Sequence, residues 1–307
     1  MKVFLCENIH SDALRLLQSR AEIIGDWGRI GEVDAIINRN LRLDRELLAK
    51  AQNLKVVAIH GTGSDGVDLE YCKEKGIVAF NVPYQNSDSV AELIVALSLV
   101  MLRKLHLADR LVCGGAEITT APAVLMGGEL AGKTLGLVGV GDIARRAARI
   151  MKDGFGVKVI GYSPTLTAEK AGALGIGFCP TMREVLARAD IVNVGVHLTK
   201  DTVNLIGAKE LTAMKPTAIL INTARGGVVD ADALYQALTT GKIAGAACDV
   251  FTQEPPTKEN PLVGLENFVA TPHIGANTDE ALRRVGVTMV EQIFAVMDGQ
   301  EPDYPCR

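Results

Sequence analysis

The 307-residue sequence predicts an α/β protein of two domains, each a parallel β-sheet covered by helices. Three observations favour this class. Hydrophobic residues make up 48% of the chain and aromatic residues only 4%, so the core should consist of Ala, Val, Leu and Ile, as in parallel sheets. Short apolar runs alternate with helical patterns along nearly the whole chain. The length also exceeds that of one average domain.

The first segment predicts a small parallel sheet, followed by a long helix. The predicted strands are residues 2–5, 35–37, 55–59 and 77–80, with helices over 11–20, 44–51 and 68–75. Ser89 and Glu92 form a potential capping box, so the long helix should begin at Ser89 and continue to about Leu111. Residues 113–130 are rich in Gly and Pro and should form a linker or an arm.

Residues 132–164 predict a strand, a glycine turn, a helix and a parallel strand. The turn reads Gly139-Val140-Gly141-Asp142-Ile143-Ala144. Its first glycine permits a tight turn, its second lets the backbone approach a pyrophosphate, and the small Ala144 lets the helix pack on the sheet. The helix N-terminus offers free N–H groups to phosphates. Such a turn is common by itself, but its place between two strands is specific for a dinucleotide.

The rest of the chain completes a doubly wound sheet. The predicted strands are residues 191–196, 217–222, 243–250 and 267–270, and one helix spans 230–238. Thr181 with Glu184, and Asn277 with Glu280, form two more potential caps, the second opening a helix to about Met297. Ligands of such sheets bind at the carboxyl ends of the strands.

Several classes of partner are disfavoured by composition. The net charge is −4 and no stripe of Lys or Arg is present, which argues against nucleic acid. The longest apolar run, residues 90–102, is too short to span a membrane, and the N-terminal run is too short for a signal peptide. Six scattered cysteines without C-x-x-C spacing predict free thiols, no metal site and a cytoplasmic location.

Three charged residues follow predicted strands of the second sheet: Arg225, Glu254 and His273. Each has an ordinary explanation, because loop Arg and Glu are usually solvated and a lone His is usually structural. Together at a dinucleotide site they suggest hydride transfer to a carbonyl, which needs a proton donor and a cation for an anionic substrate. His273 suits the first role and Arg225 the second, while Glu254 would orient the imidazole and favour its protonated form.

Long stretches of the chain resemble the D-isomer-specific 2-hydroxyacid dehydrogenase family. They are His60-Gly61-Thr62-Gly63-Ser64-Asp65-Gly66-Val67-Asp68, residues 86–92, the glycine turn, and residues 222–230, 249–256 and 271–275. The resemblance implies two Rossmann-like domains, with an NAD(P)-binding domain (residues 89–277) inserted in a substrate-binding catalytic domain (residues 1–88 plus 278–307). It also implies that Arg225, Glu254 and His273 form the catalytic set, and it suggests a homodimer through the cofactor domain.

The same resemblance implies the binding residues for NAD or NADP and for a small 2-keto or 2-hydroxy acid. Asp249 would hold the nicotinamide carboxamide, and the Gly61–Gly63 backbone with Arg225 would hold the substrate carboxylate. The expected cofactor residues are Thr62, Gly139, Gly141, Asp142, Ile143, Ser163, Val196, Thr223, Ala224, Arg225, Asp249, His273, Ile274, Gly275 and Ala276. The expected substrate residues are His60, Gly61, Thr62, Gly63, Tyr84 and Arg225.

The sequence departs from the family pattern at several positions. Ser163 replaces the aspartate that binds the ribose hydroxyls, so NADP is permitted, but no arginine follows to demand it. His197 stands near the position of a His-x-Pro of many relatives and is either close to the nicotinamide or a plain surface or packing residue. Asn38 and Ile59 replace two arginines of phosphoglycerate dehydrogenases, which disfavours a phosphorylated substrate and favours another small polar acid. A C-terminal regulatory domain of the kind that longer relatives carry is not expected after Arg307.

The sequence therefore predicts an NAD(P)-dependent oxidoreductase that transfers a hydride between nicotinamide and a small 2-keto or (R)-2-hydroxy acid. Two alternatives stay open. One is D-3-phosphoglycerate dehydrogenase itself. The other, from a different class, is a nicotinamide-sensing interaction protein of the corepressor type, which usually needs appended tails or a peptide cleft.

Overall fold

The computed structural model describes residues 1–117, 120 and 122–306 and divides into two compact units. Unit 1 comprises Met1–Asn86 and Ala276–Arg307, and unit 2 comprises Ser87–Gly275. Unit 2 is thus inserted in the chain of unit 1. The expected boundaries, after residues 88 and 277, lie two residues further along the chain.

The regular elements are as follows. The strands are β1 (Lys2–Leu5), β2 (Glu22–Ile24), β3 (Ala35–Asn38), β4 (Val56–Ile59), β5 (Val78–Asn81), β6 (Thr134–Val138), β7 (Lys158–Tyr162), β8 (Gly177–Phe178), β9 (Ile191–Val194), β10 (Ile219–Asn222), β11 (Gly245–Cys248) and β12 (Phe268–Ala270). The helices are α1 (Ser11–Gln18), α2 (Arg45–Lys50), α3 (Leu69–Lys75), α4 (Ser87–Leu102), α5 (Leu105–Cys113), α6 (Asp142–Phe155), α7 (Ala168–Ala173), α8 (Met182–Arg188), α9 (Ala208–Ala213), α10 (Ala231–Thr239) and α11 (Asp279–Met297).

Unit 1 is built on a parallel sheet that, in the described residues, has the order β2-β1-β3-β4-β5. Successive strand residues point to opposite faces. Val3 packs in a cluster with residues of α1 and α11, whereas its neighbour Phe4 packs in another with residues of α2 and α3. Because both faces are covered, the strands are continuous apolar runs rather than alternating ones.

Unit 2 is built on a second parallel sheet, of order β12-β11-β10-β9-β6-β7-β8 over the described part of the chain. Residues of α4 and α6 join the core cluster on one face, and residues of α8 and α10 join the cluster on the other. The strand order reverses at the neighbouring strands β6 and β9. In doubly wound sheets such a reversal opens a crevice beyond the carboxyl ends of the strands. The expected α/β class with two parallel sheets is confirmed.

Two of the predicted helix starts were wrong, and the long helix is shorter than predicted. α4 begins at Ser87 rather than at Ser89. The hydroxyl of Ser89 does not cap the helix; it is buried and donates to the carbonyl oxygen of Gly275, 2.6 Å away. α4 ends at Leu102, and the left-handed Lys104 (φ 52°) separates it from α5. α11 is capped by Thr278 and not by Asn277. The hydroxyl of Thr278 accepts from the N–H of Ala281 at 3.2 Å. The cap at Thr181 is confirmed.

The predicted arm, residues 113–130, is only partly covered, because residues 118, 119 and 121 lie outside the described ones. The described part includes a short 3-10 turn, Ala123–Leu125. No helix within the described ranges has both the length and the apolar character needed to cross a bilayer. The six cysteines are free thiols.

Candidate active site

The glycine turn after β6 has the backbone needed to hold a pyrophosphate. Gly139 has φ 93°, and a Cβ there would lie 2.3 Å from the carbonyl oxygen of Gly195, so a side chain would separate the turn from the end of β9. A Cβ at Gly141 would meet nothing within 4 Å, so the approach to the first turn of α6 is open. Ala144 is buried where α6 packs on the sheet. The free N–H groups of α6 therefore face an accessible site.

The side chain of Asp142, the first residue of α6, is held by a neighbouring arginine. Arg146 donates from Nε to Oδ2 of Asp142 (2.9 Å) and from Nη1 to Oδ1 of Asp88 (2.6 Å). Partial burial acts to raise the pKa of Asp142, but hydrogen bonds from Ser87 and Arg146 outweigh it and hold that pKa below its usual value. The backbone N–H of Asp142 is therefore the group left for its predicted role in cofactor binding.

Hydroxyl groups and an ammonium group follow β7, where the ribose is expected. The hydroxyls of Ser163 and Thr165 lie 3.4 Å apart. Nζ of Lys170 lies 3.4 Å from the carbonyl oxygen of Thr165. These groups can donate to an anion, so this end of the sheet is compatible with a 2′-phosphate as well as with a free ribose.

The turn after β10 is fixed from inside by Asn222, a buried residue. Its Oδ1 accepts from the N–H of Ala224 (3.1 Å), and its Nδ2 donates to the carbonyl oxygen of Arg225 (3.0 Å). A Cβ at Gly226 would lie 2.0 Å from the carbonyl carbon of Phe251, so glycine allows the turns after β10 and β11 to touch. This contact brings the loop of Arg225 against the loop of Glu254.

Asp249, at the end of β11, is 1% exposed and ties down the loop after β12. Its Oδ1 accepts from the hydroxyl of Thr271 (2.5 Å) and the N–H of Ile274 (2.8 Å), and its Oδ2 accepts from the N–H of Gly275 (2.8 Å). A carboxylate has about four acceptor sites. One site on Oδ2 is thus left for the predicted bond to the carboxamide.

His273 and Glu254 form a hydrogen-bonded pair. Nδ1 of His273 lies 2.7 Å from Oε2 of Glu254, whose Oε1 accepts from the N–H of Phe251 at 2.9 Å. The backbone of His273 is left-handed (φ 55°) and is held there by bonds from its N–H to the carbonyl oxygens of Asp249 (2.8 Å) and Thr271 (3.0 Å). Strained backbone that the surroundings enforce is typical of functional sites.

The environment of Glu254 keeps it ionised. Partial burial acts to raise the pKa of Glu254, but bonds from the His273 ring and the Phe251 N–H, with the charge of Arg225 close by, hold that pKa below its usual range. An ionised carboxylate only accepts, so Nδ1 of His273 is the donor and Nε2 is left facing away from the pair. Arg225 itself donates from Nη1 to the carbonyl oxygen of Ala224 (2.8 Å).

In unit 1, the predicted substrate residues His60, Gly61, Thr62 and Gly63 follow β4. His60 is buried, and its Nε2 has no hydrogen-bond partner among the described residues. Burial, reinforced by the charge of Arg39, lowers the pKa of His60 to about 4. The carbonyl oxygen of Thr62 accepts from Nδ2 of Asn81 at 2.6 Å.

The remaining predicted residues vary in position. Tyr84 of unit 1 is 57% exposed and left-handed (φ 69°). His197 is exposed and its carbonyl oxygen accepts from the hydroxyl of Thr202, as expected for a surface residue. Val196 and Thr223 follow β9 and β10, and Ala276 falls in unit 1.

Two supporting residues, Asn222 and Thr271, were not among the predicted site residues. They act through bonds to the backbone or to Asp249. The sequence signals were their positions at strand ends and within the stretches 222–230 and 271–275 that resemble the family.

Comparison with known proteins accounts for this arrangement. The family model described as D-isomer specific 2-hydroxyacid dehydrogenase, NAD binding domain, matches residues 95–275. Glyoxylate reductase of Thermococcus litoralis is 37% identical over 98% of this chain and 95% of its own length. The chain belongs to the D-isomer-specific 2-hydroxyacid dehydrogenase family.

Other relatives and solved structures differ in their sequence identity to this chain and in how much of their length it covers. D-3-phosphoglycerate dehydrogenase of Methanocaldococcus jannaschii is 37% identical over 98% of this chain, but the chain spans only 58% of that protein's length. The solved structure of the TT0316 protein of Thermus thermophilus has a TM-score of 0.91 at 34% identity, with both chains fully covered. An acyclic imino acid reductase solved with NADPH and D-Arg has a TM-score of 0.87 at 28% identity over the full length of both chains. The family model that matches residues 95–275 is that of an NAD-binding domain, which agrees with the expected dinucleotide cofactor.

Proposed function

We propose that the protein interconverts a small 2-keto acid and the corresponding (R)-2-hydroxy acid. The observation that carries this proposal is the 2.7 Å pair of His273 and Glu254, with Arg225 beside it, at the strand ends of the NAD-binding domain. The glycine turn at Gly139 and the open approach to α6 fit a dinucleotide on the same edge of the sheet. Bound NAD(P)H would supply a hydride from C4 of its nicotinamide to C2 of the keto acid.

In this mechanism His273 moves the proton. Its Nδ1–H donates to the ionised Glu254, so Nε2–H is the proton that passes to the carbonyl oxygen as C2 gains its new C–H bond. The C=O π pair becomes the pair of the new O–H bond, and the imidazole is left neutral. In the oxidative direction neutral Nε2 takes the hydroxyl proton. Glu254 stabilises the imidazolium and fixes its orientation throughout.

Arg225 is proposed to bind the substrate carboxylate. Its planar guanidinium has N–H donors in a fork that matches a carboxylate, and its charge also stabilises the developing alkoxide. We assign Asp249 and its loop, Ile274 and Gly275, to the nicotinamide. We assign His60, Gly61, Thr62, Gly63 and Tyr84 of unit 1 to the substrate.

The proposed substrate is a small polar acid without a phosphate. The two positions that carry arginines in phosphoglycerate dehydrogenases hold Asn38 and Ile59, which are 2% and 1% exposed. Neither supplies a charge to a phosphate dianion, which binds best to several cations. This supports glyoxylate or hydroxypyruvate over phosphohydroxypyruvate.

A panel of reduction assays tests this function. The purified protein is given glyoxylate, pyruvate, hydroxypyruvate, sulfopyruvate or phosphohydroxypyruvate, each with NADH and with NADPH, and cofactor oxidation is followed. Turnover of at least about 1 s⁻¹ is expected on one unphosphorylated acid. A clear preference for phosphohydroxypyruvate would instead identify a phosphoglycerate dehydrogenase. Tight cofactor binding without turnover on any acid would favour a nicotinamide-sensing interaction protein.

A homodimer in the cytoplasm is also proposed, with unit 2 as the interface. α5 has no buried residue, and its Leu105 and Val112 are 50% and 65% exposed. Nearby in sequence, Val124 and Met126 are 55% and 74% exposed. Four large apolar side chains so exposed are typical of an interface. Light scattering should give twice the 32.7 kDa chain mass, and the double variant V112E/M126E should give a monomer. The six free thiols support a reducing compartment.

A further inference from the structure

The last described residues of the chain cover the edge of the unit 1 sheet. Pro305 forms an antiparallel bridge with Phe80 of β5. On either side of this bridge, the N–H of Asn81 donates to the carbonyl oxygen of Tyr304 (3.3 Å), and the N–H of Cys306 donates to the carbonyl oxygen of Ala79 (2.8 Å). Residues 302–306 are called the C-terminal segment below. Asp303 fixes its beginning: its backbone N–H donates to Oε1 of Gln292 in α11 (2.7 Å), and its Oδ2 accepts from Nε2 of Gln292 (3.0 Å).

This C-terminal segment is linked to the glycine loop, residues 61–64, at two points. Asn81, whose N–H bonds Tyr304, donates from its side chain to the carbonyl oxygen of Thr62 at 2.6 Å. Ser64 also lies close to Cys306: burial raises the pKa of the Cys306 thiol, and the Ser64 hydroxyl acts to lower it. The loop assigned to the substrate is thus held from one side by the C-terminal segment.

Tyr84 stands beside the same segment in a conformation that is unfavourable for its residue type. Its φ is 69°, in the left-handed region that favours glycine. The ring is 57% exposed, so burial does not recover the cost of this backbone. Its ring partner is Tyr304, edge-on with ring centroids 6.1 Å apart and planes at 69°. A large side chain kept exposed at a strained position is a sign of function.

We propose that Tyr304 is a positioning residue for Tyr84, and that Tyr84 determines which group the substrate carries at C3. This inference rests on the proposed function, which assigns Tyr84 to the substrate. The edge-on contact with the ring of Tyr304 restricts the orientations open to the ring of Tyr84. Tyr84 then limits the size of the C3 group, and its hydroxyl donates to a C3 oxygen. The favoured substrates are 2-keto acids with a small polar C3 group, such as hydroxypyruvate, over those with a methyl group.

Steady-state kinetics with hydroxypyruvate and pyruvate test both residues. Tyr84→Phe should lower the ratio of kcat/KM for hydroxypyruvate to that for pyruvate about tenfold, the effect of one lost hydrogen bond. Tyr304→Leu should raise KM for hydroxypyruvate about three- to tenfold with kcat within about twofold, since it alters positioning and not chemistry. Tyr304→Phe, which keeps the ring, should behave as wild type.

A double variant separates positioning from general stability. If Tyr304 acts through Tyr84, the KM effect of Tyr304→Leu should vanish in a Tyr84→Gly background. Persistence of the effect there, or an unchanged substrate ratio in Tyr84→Phe, would overturn the proposal. Trp27→Leu is the matched control. Trp27 is also an exposed aromatic residue (44%) of unit 1, but its ring packs against Phe4 and lies away from β5. It should leave KM unchanged.

A measurement without turnover separates this inference from the proposed function. Amide hydrogen exchange of residues 82–87 should be at least about fivefold faster in Tyr304→Leu, while exchange in β1 stays the same. If the wild type reduces no keto acid but this local change is seen, the proposed function fails and the positioning role of Tyr304 stands. Unchanged exchange at residues 82–87 would refute the positioning role whatever the substrate.

Discussion

The two sets of proposed site residues differ in how far the protein itself satisfies their polar groups. In unit 2, Asp249, Glu254 and His273 lie in a network of hydrogen bonds 2.5–2.9 Å long. In unit 1, Nε2 of His60 is buried and has no partner within the described ranges. The reacting groups are therefore preorganised by the fold, which is what electrostatic catalysis needs. The group left open in unit 1 suits recognition, because a buried polar group that only the right ligand satisfies discriminates strongly.

The largest effect, on turnover, is expected from removing His273, the proposed proton donor of the preorganised network. His273→Ala should lower turnover by roughly 10²–10⁴ while the dissociation constant of NADH, measured by fluorescence titration, changes little. His197→Ala removes an exposed histidine and serves as the control. Unchanged turnover in His273→Ala would remove the assignment of His273 as acid and base.

The next effect tests the unpaired residue His60 through the dependence of stability on pH. The pKa of His60 is lowered from 6.5 to about 4, so the unfolded chain binds a proton that the folded chain does not between those values. Stability should therefore fall as the pH drops from 6.5 to 4, by about 3 kcal/mol in total from this residue. Urea unfolding monitored at Trp27, the only tryptophan and part of unit 1, reports the change.

His60→Leu should remove most of that pH dependence, because leucine cannot be protonated. His197→Gln, at an exposed position, should retain it. The same slope in wild type and His60→Leu would show that His60 takes up its proton as readily in the folded protein as in the unfolded chain.

A smaller effect concerns Ser163, at the cofactor side of unit 2. The wild type should prefer NADH over NADPH only weakly, or should prefer NADPH, since no carboxylate stands at that position to repel a 2′-phosphate. Ser163→Asp should shift the ratio of dissociation constants towards NADH roughly ten- to hundredfold, because like charges repel. Ser163→Asn, of similar size but neutral, should not. A wild-type preference for NADH of about a thousandfold would contradict the prediction.

The smallest effect tests the strain at Tyr84. Tyr84→Gly should raise the free energy of unfolding of unit 1 by up to about 1 kcal/mol, because glycine adopts φ 69° without a clash. Gln85→Gly is the control at the next residue, whose φ is not positive. This variant should lower the free energy of unfolding, because glycine adds conformational entropy to the unfolded chain. Equal losses in both variants would show that the backbone at Tyr84 is unstrained.

The sequence allowed the fold to be predicted because parallel strands and glycine turns have local signatures. Strands such as β1 and β9 are short apolar runs, and the turn at Gly139 has a fixed spacing. That Arg225, Glu254 and His273 would lie near one another could be predicted for the same reason, since strand ends of one sheet meet at one edge.

What could not be predicted depends on packing between distant segments. Ser89 fits a capping box, but the carbonyl oxygen of Gly275 lies beside it in the fold and takes its hydroxyl. Asp249 carries no sign in sequence that it accepts from Ile274 and Gly275. The left-handed backbones of Tyr84 and His273 likewise follow from their surroundings, since few residues other than glycine adopt that region.

The insertion of unit 2 into unit 1 also sets an order for biosynthesis. Unit 2 is one continuous stretch, so all its strands have been made once the ribosome passes Gly275. Unit 1 waits longer: Val285, Met289 and Ile293 of α11 cover the sheet face that includes Val3 and Val56, and they are synthesised only after unit 2. Until then only α1 covers this face, and the nascent chain carries a partly uncovered apolar sheet face, the kind of surface that chaperones bind and that aggregates at high concentration.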